Sequence, residues 1–186
     1  GGGGVFRESE KDRVNKLNAC LAKILSGMKP PEDLTVSQWA DKNRRLTSES
    51  SAEVGKWRTS RTPYMFDILD SFTDPLIEHI VVVAASQVGK SETINNMVGY
   101  CIDQDPGPIL LIQPTIDDVK RYSEMRIAPM IRETRCLKRK VADPKSRDAA
   151  NTKRQKSFPG GVLVMTGSNV AHDLSSMPIR YVFGDE

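Results

Sequence analysis

A phosphate-binding motif lies near the middle of the 186-residue sequence. Residues 84–91 read AASQVGKS, which matches the pattern GxxxxGK[ST] at every fixed position except the first, Ala84. Backbone N–H groups in such a turn cradle phosphate oxygens, and Gly89 lets the main chain approach them closely. Lys90 would supply charge to the β- and γ-phosphates, and Ser91 a hydroxyl to Mg²⁺. The predicted nucleotide contacts of this loop are Ala85, Ser86, Gln87, Val88, Gly89, Lys90, Ser91 and Glu92.

A second chemical signal is a pair of carboxylates at the end of an apolar run. The run starts at Tyr181 and leads directly to Asp185 and Glu186, about 95 residues after Lys90. An aspartate at the end of a buried strand can hold Mg²⁺, and a neighbouring glutamate can polarise a water for in-line attack on the γ-phosphate. The pair therefore predicts magnesium-dependent ATP hydrolysis, with Asp185 at the metal and Glu186 and Lys90 as catalytic residues.

The elements around these motifs alternate between strand and helix. Residues 77–85, IEHIVVVAA, read as a short buried strand that leads into the loop, and residues 91–103 have helical apolar spacing. Further strands are predicted at PILLIQP, GVLVMTG and IRYVFGDE, with a helix capped by Thr115 after the first of them. Strand, helix, strand in this order favours parallel pairing through crossover connections. The expected fold class is therefore α/β, a P-loop NTPase with a mainly parallel sheet flanked by helices.

The first part of the chain is predicted to be helical. Residues 8–28 carry one apolar stripe that includes Val14, Leu17 and Leu21, which suits either a helix docked on its own domain or one that binds another subunit. Thr35 and Gln38 have the spacing of a capping box. A polar linker over 47–55 and a helix beginning at Pro63, with Met65, Phe66, Leu69 and Phe72 buried, are expected next. We divide the chain into an N-terminal tail and helix, 1–34, and an ATPase domain, 35–186.

Composition sets wider bounds. The charge of +3 is small, but the stretch between Cys136 and Phe158 holds eight basic and two acidic residues, which suits either a solvated loop or contact with a polyanion. The three cysteines are odd in number and widely spaced, so neither a disulfide framework nor a zinc site is expected. The longest apolar stretch is far too short to span a bilayer, and no membrane partner is expected.

The ordered set of motifs resembles a known family. TVSQWADKNRRL, Gly55, Trp57, Pro63, ASQVGKSE, LIQPT, RIAPMI, FPGG and the final DE recur in this order in the large terminase subunits of lambda-type tailed phages. The resemblance implies a motor ATPase of the class that has its catalytic glutamate beside the magnesium aspartate. Such a motor uses ATP and Mg²⁺ to move double-stranded viral DNA into a procapsid, in the host cell cytoplasm. It also implies three protein partners, a small terminase subunit, the procapsid portal and further copies of the same chain.

The resemblance has departures. Many relatives carry an arginine inside the phosphate loop, where this chain has Gln87, so an arginine finger must come from elsewhere. The candidates are Arg121, Arg126 and Arg132. Tyr64 is the candidate for stacking on adenine, with a core tyrosine as the alternative.

The end of the chain carries a further expectation. The sequence ends after the DE strand, so we expect a domain truncated there, without the nuclease domain and with an open slot in the sheet.

Two other functions remain open from the residues alone. The loop and the DE pair would serve equally in a superfamily-2-like nucleic-acid helicase. A degenerate nucleotide site in a domain that acts in subunit assembly is favoured by Ala84 and by the missing arginine, and opposed by intact Lys90, Ser91, Asp185 and Glu186.

Overall fold

The computed structural model describes residues 10–27, 32–49, 54–85, 88–141, 152, 154–169 and 178–185. The chain divides into two compact units, Gly1–Asp33 and Leu34–Glu186. In the first unit helix α1 spans Glu10–Gly27, which confirms the predicted helix. Its stripe residues Val14, Leu17 and Leu21 are exposed. No helix among the described residues is both long and apolar enough to cross a membrane.

In the second unit helix α2, Val36–Asn43, begins at the predicted capping box. The Thr35 hydroxyl accepts a hydrogen bond from the Gln38 amide at 3.4 Å, and the Gln38 side chain accepts one from the Thr35 amide at 3.1 Å. Strands β1, Arg45–Leu46, and β2, Gly55–Lys56, then form an antiparallel ribbon. The interpretation of 47–55 as a linker missed this ribbon, because two residues per strand leave no periodic signal.

A four-stranded sheet forms the centre of this unit. Its strands are β3 (Pro108–Gln113), β4 (Gln155–Phe158), β5 (Gly161–Gly167) and β6 (Tyr181–Gly184), in the order β4-β5-β3-β6. β3 is parallel to both β5 and β6, and β4 is antiparallel to β5. The β4–β5 hairpin turns at Gly160, whose φ of +85° favours glycine. The expected mainly parallel sheet is confirmed, and β4 is an additional strand that the sequence analysis did not predict.

Helices pack on this sheet through their apolar faces. They are α3 (Phe66–Ser71), α4 (Lys90–Asp103), α5 (Ile116–Tyr122), α6 (Ala128–Glu133) and α7 (Arg135–Lys140). A single π-helical turn, Ser123–Ile127, joins α5 to α6. The core includes the fully buried Leu69, Val98, Leu111, Leu137 and Leu163. Phe66 was predicted to be buried and is exposed, because Pro63–Met65 form a 3₁₀ turn that rotates the helical face.

Helices α2 and α4 approach each other closely at Gly99. A Cβ atom on Gly99 would lie 2.4 Å from Cη2 of Trp39, so only glycine fits at this crossing. Trp39 is fully buried, and its indole Nε1 donates to Asp103 Oδ2 at 2.8 Å. The Asp103 carboxylate also forms an ion pair with Lys140 of α7, at 2.8 Å. One carboxylate therefore connects the helix that carries the phosphate loop to two neighbouring helices.

Residues 77–85 do not form the predicted buried strand. The structure gives them no regular secondary structure, and Val81 and Val83 are 85% and 94% exposed. Among the described strands β6 pairs only with β3, and residues 77–85 form no ladder of backbone hydrogen bonds with its outer edge. A backbone segment without a ladder partner is not a strand, however apolar its sequence. β6 is the edge strand of the described sheet.

Candidate nucleotide site

The predicted phosphate loop leads directly into α4. Gly89 is the N-cap residue, with a φ of +94° that disfavours any side chain. Lys90 and Ser91 open the helix, where the first backbone N–H groups have no intrahelical acceptor and the helix dipole is positive. This is a geometry that suits an anion. Ser86 and Gln87 lie outside the described residues.

The two residues predicted to hold magnesium are in direct contact. The Ser91 hydroxyl donates to Asp185 Oδ2 at 2.8 Å, although the two residues are 94 positions apart. Asp185 reaches this place because it follows β6, and its amide donates to the Ile112 carbonyl of β3 at 3.1 Å. The parallel sheet thus delivers a carboxylate to the first turn of α4. Glu186, the predicted catalytic glutamate, lies outside the described residues.

Glu92, in the same first turn, is the centre of a polar network. Its Oε2 accepts from Nη2 of Arg44. Its Oε1 accepts from Asn95 Nδ2 at 3.1 Å and from Arg126 Nη1 at 3.3 Å. Arg44 is 2% exposed, and its Nε donates to Asn96 Oδ1 at 2.8 Å. Sequence reasoning missed Arg44 because one arginine in a charged helix end carries no signal of burial.

Tyr122 joins this network to the loop. Its hydroxyl lies 2.8 Å from Asn95 Oδ1 and 3.3 Å from the Ser91 carbonyl oxygen. Burial raises its pKa well above the ordinary value, and the nearby charges of Asp185 and Glu92 add to the shift. Burial lowers the pKa of Arg44, while the adjacent Glu92 carboxylate opposes that shift. Tyr122 is therefore a neutral donor at physiological pH.

A cavity of about 220 Å³ opens beside the loop. Tyr64 lines it, is 58% exposed, and donates its hydroxyl to the Val88 carbonyl at 3.1 Å. The alternative that Tyr64 is a core residue is therefore wrong. Basic side chains line the same cavity, namely Lys56, Arg58 and Arg61. A flat aromatic ring and nearby cations beside the predicted phosphate loop suit the base and the charge of a nucleotide.

The chain segment that carries these cavity residues is held to helix α2 by hydrogen bonds. Trp57 Nε1 donates to the Thr59 hydroxyl at 2.9 Å. Thr59 in turn donates from its amide and its hydroxyl to Asp41 Oδ1, at 2.6 and 2.9 Å. Trp57 and Thr59 are both buried, so these bonds are shielded from water. The cavity wall is thus fixed to helix α2.

The three arginines proposed as fingers differ in their surroundings. Arg121 pairs with Asp118, and Arg132 pairs with Glu49 and Glu133, all through exposed or partly exposed side chains. Arg126 contacts Glu92 in the first turn of α4. Of these three residues, Arg126 is the one with a described contact at the loop.

The basic stretch is only partly a solvated surface. Lys156 is 6% exposed, its Nζ donates to the Thr152 carbonyl at 2.8 Å, and burial lowers its pKa. Lys140 is held by Asp103. The exposed basic residues described here are Lys138, Arg139 and Arg154. Residues 142–151 and Lys153 lie outside the described part of the chain.

The structure thus shows a mixed α/β domain in which the first turn of a glycine-capped helix contacts a carboxylate that follows β6. The chain belongs to the family described as "Phage terminase large subunit gpA, ATPase domain", whose sequence model matches residues 51–186. This confirms the resemblance found in the sequence.

Two curated relatives are both named "Terminase, large subunit". The one from Escherichia phage lambda is 27% identical over 149 residues, 80% of this chain and 23% of the relative. The one from Enterobacteria phage P21 is 25% identical over 154 residues, 83% of this chain and 24% of the relative. The chain thus spans about a quarter of the length of these relatives. No solved structure matches it.

Proposed function

We propose that this chain binds ATP with Mg²⁺ at the start of α4 and hydrolyses it as part of a viral DNA-packaging motor. The observation that supports this most is the 2.8 Å hydrogen bond between the Ser91 hydroxyl and Asp185. This hydrogen bond lies at the N-terminus of α4, directly after Gly89, which has a left-handed backbone conformation. If a serine and an aspartate met here only by chance, there would be no reason for the contact to lie beside a phosphate-loop sequence. Family membership makes ATP the expected nucleotide.

The residues present fit a magnesium ion that is shared with a nucleotide. No group of three His, Cys, Asp or Glu side chains suited to a metal was found in the described part of the chain. Mg²⁺ characteristically takes one or two protein oxygens and completes its shell with water and substrate phosphates. Ser91 and Asp185 would supply those oxygens. When bound, the ion would neutralise charge that develops on the phosphates.

Each remaining residue has a proposed role in this P-loop site. The amides from Ala85 to Glu92 would contact phosphate, and Lys90 would offer its ammonium to the outer phosphates. Tyr64 would stack on the adenine ring at the mouth of the cavity. Glu186 would accept the proton of the attacking water. Arg126 is the candidate among the three arginines for contact with the γ-phosphate.

The wider function that we propose is supported by the relatives, which are named terminase large subunits. We propose that residues 35–186 are the ATPase portion of such a subunit and that residues 1–34 contact another subunit. The motor would move double-stranded viral DNA into a procapsid in the host cytoplasm. It would act there with a small subunit, the portal and further copies of itself. Nuclease activity would belong to a separate domain of the full polypeptide.

The proposal is tested by separating nucleotide binding from turnover. Glu186→Gln should keep Mg-ATP binding and lose hydrolysis, because an amide preserves shape but cannot accept a proton. Asp185→Asn should raise the Mg²⁺ concentration needed for ATP binding, while Asp74→Asn, an exposed aspartate before the loop, should not. Equal loss of binding and turnover in Glu186→Gln, or equal Mg²⁺ dependence in both aspartate variants, would contradict the assignment.

A further inference from the structure

Glu92 places a negative charge where the proposed site must bind an anion. It lies in the first turn of α4, directly after Ser91, and lines the cavity together with Val88 and Gly89. The N-terminus of a helix attracts anions through its free amides and its dipole. An uncompensated carboxylate at this position would compete with phosphate for the same field. Polyphosphate binding here therefore requires that Glu92 be neutralised by neighbours.

Two arginines contact this carboxylate from different elements. Arg44, which follows α2, pairs with Oε2, and Arg126, in the π turn, donates to Oε1 at 3.3 Å. Asn95 adds a third donor at 3.1 Å. Both carboxylate oxygens are therefore occupied by donors from the protein. The side chain of Glu92 is only 12% exposed, so its charge is compensated by these groups more than by water.

Arg44 is fixed and Arg126 is accessible. The guanidinium of Arg44 is buried, and its Nε is committed to Asn96 at 2.8 Å. Arg126 is 38% exposed on the π turn Ser123–Ile127. Arg126 lies within this turn, and its Nη1 donates to Glu92 Oε1.

We infer that Arg44 and Arg126 neutralise Glu92 and thereby set how strongly the loop discriminates nucleotides by their number of phosphates. This inference rests on the proposed nucleotide site. Arg44 is a positioning residue, because it acts on the nucleotide through Glu92 and is itself buried. Removing either arginine leaves part of the Glu92 charge uncompensated beside the phosphates. The cost then grows with phosphate charge, so ATP loses more affinity than AMP.

The test measures affinities for Mg-ATP and AMP in the full chain. Arg126→Met and Arg44→Met should each lower the affinity for Mg-ATP by about tenfold, equivalent to 1.4 kcal/mol. Each should lower the affinity for AMP by less than about threefold. Glu92→Gln should tighten ATP, because it removes the opposing charge. Adding Glu92→Gln to either arginine variant should restore ATP affinity to within about threefold of the parent. Arg45→Met, an exposed neighbour with the same change in net charge, is the matched control.

The outcomes distinguish this inference from the proposed function. Failure of the parent chain to bind Mg-ATP would reject the nucleotide site and this inference with it. A second outcome would reject the inference alone. In it the parent binds Mg-ATP, Lys90→Ala loses that binding, and the arginine variants lose affinity for ATP and for AMP equally. Absence of rescue by Glu92→Gln would also reject it, because the arginine would then act on the nucleotide directly or through the fold and not through Glu92. Arg126 is partly exposed, so its variant carries the test if Arg44→Met does not fold.

Discussion

Replacement of Asp103 by asparagine should destabilise the whole framework that supports the loop. The Asp103 side chain is 8% exposed and forms an ion pair with Lys140 at 2.8 Å. Its Oδ2 accepts from Trp39 Nε1 and from Gln104 Nε2, both at 2.8 Å. Asparagine keeps one acceptor oxygen and turns an amide donor toward the other partners. At least one donor then faces another donor inside the protein.

The expected loss is about 3 kcal/mol at pH 7. Hydrogen bonds to a charged group are worth roughly 1.5–3 kcal/mol each, and the Trp39 bond is shielded from water. The contribution of Lys140 is discounted, because its side chain is 38% exposed and solvent screens the pair. The matched control is Asp117→Asn, since its carboxylate is 89% exposed. That change should stay within about 0.5 kcal/mol of the parent.

The loss should also depend on pH in a defined direction. Burial alone would raise the pKa of Asp103, but hydrogen bonds from Lys140, Trp39 and Gln104 outweigh it and leave the pKa lowered. A lowered pKa gives stability that is present above the unfolded value, about 3.9, and is lost as pH falls through the folded value. The difference between parent and Asp103→Asn should therefore shrink in acid. Urea unfolding at pH 7 and near pH 3 measures it, and a difference that is below about 0.5 kcal/mol at pH 7, or equal at both pH values, would refute the reasoning.

Three further predictions concern the loop, the basic surface and the unpaired segment. Lys90→Ala should weaken ATP more than AMP in a titration, because its ammonium is proposed to reach only the outer phosphates; equal losses would place it wrongly. The salt dependence of duplex DNA binding should flatten by about 0.9 per residue replaced with alanine if these side chains contact phosphates, and an unchanged slope would return them to a solvated surface. The residues to replace are Lys138, Arg139 and Arg154. Amides of 77–85 should exchange with deuterium much faster than those of 108–113, which lie in the central strand β3; similar protection would show that 77–85 is paired in solution.

Much of the architecture could be predicted where the signal is local. Thr35 and Thr115 correctly predicted the starts of their helices. The hydroxyl of each accepts a hydrogen bond from the backbone amide three residues later. β3 was expected from the run of four apolar residues at 109–112, and it lies between β5 and β6 in the sheet. The meeting of Ser91 with Asp185 agrees with the prediction that both residues contact one Mg²⁺.

The errors arose where the outcome depends on a distant partner. Periodicity identifies 77–85 as apolar but cannot tell whether a neighbouring strand supplies hydrogen bonds. Burial of Arg44 depends on Glu92 and Asn96, which lie 48 and 52 residues away in sequence. Lys156 is also buried, although its Nζ donates to the carbonyl of Thr152 only four residues away. A charged residue in a charged stretch therefore gives no local sign that it is buried.

The most direct test of the nucleotide site is a crystal structure of the chain with Mg²⁺ and a non-hydrolysable ATP analogue. The proposed function predicts phosphates at the amides of Val88–Ser91, the metal within reach of the Ser91 hydroxyl and Asp185, and the base beside Tyr64. An analogue bound elsewhere would contradict it, and so would a metal that contacts neither the Ser91 hydroxyl nor Asp185.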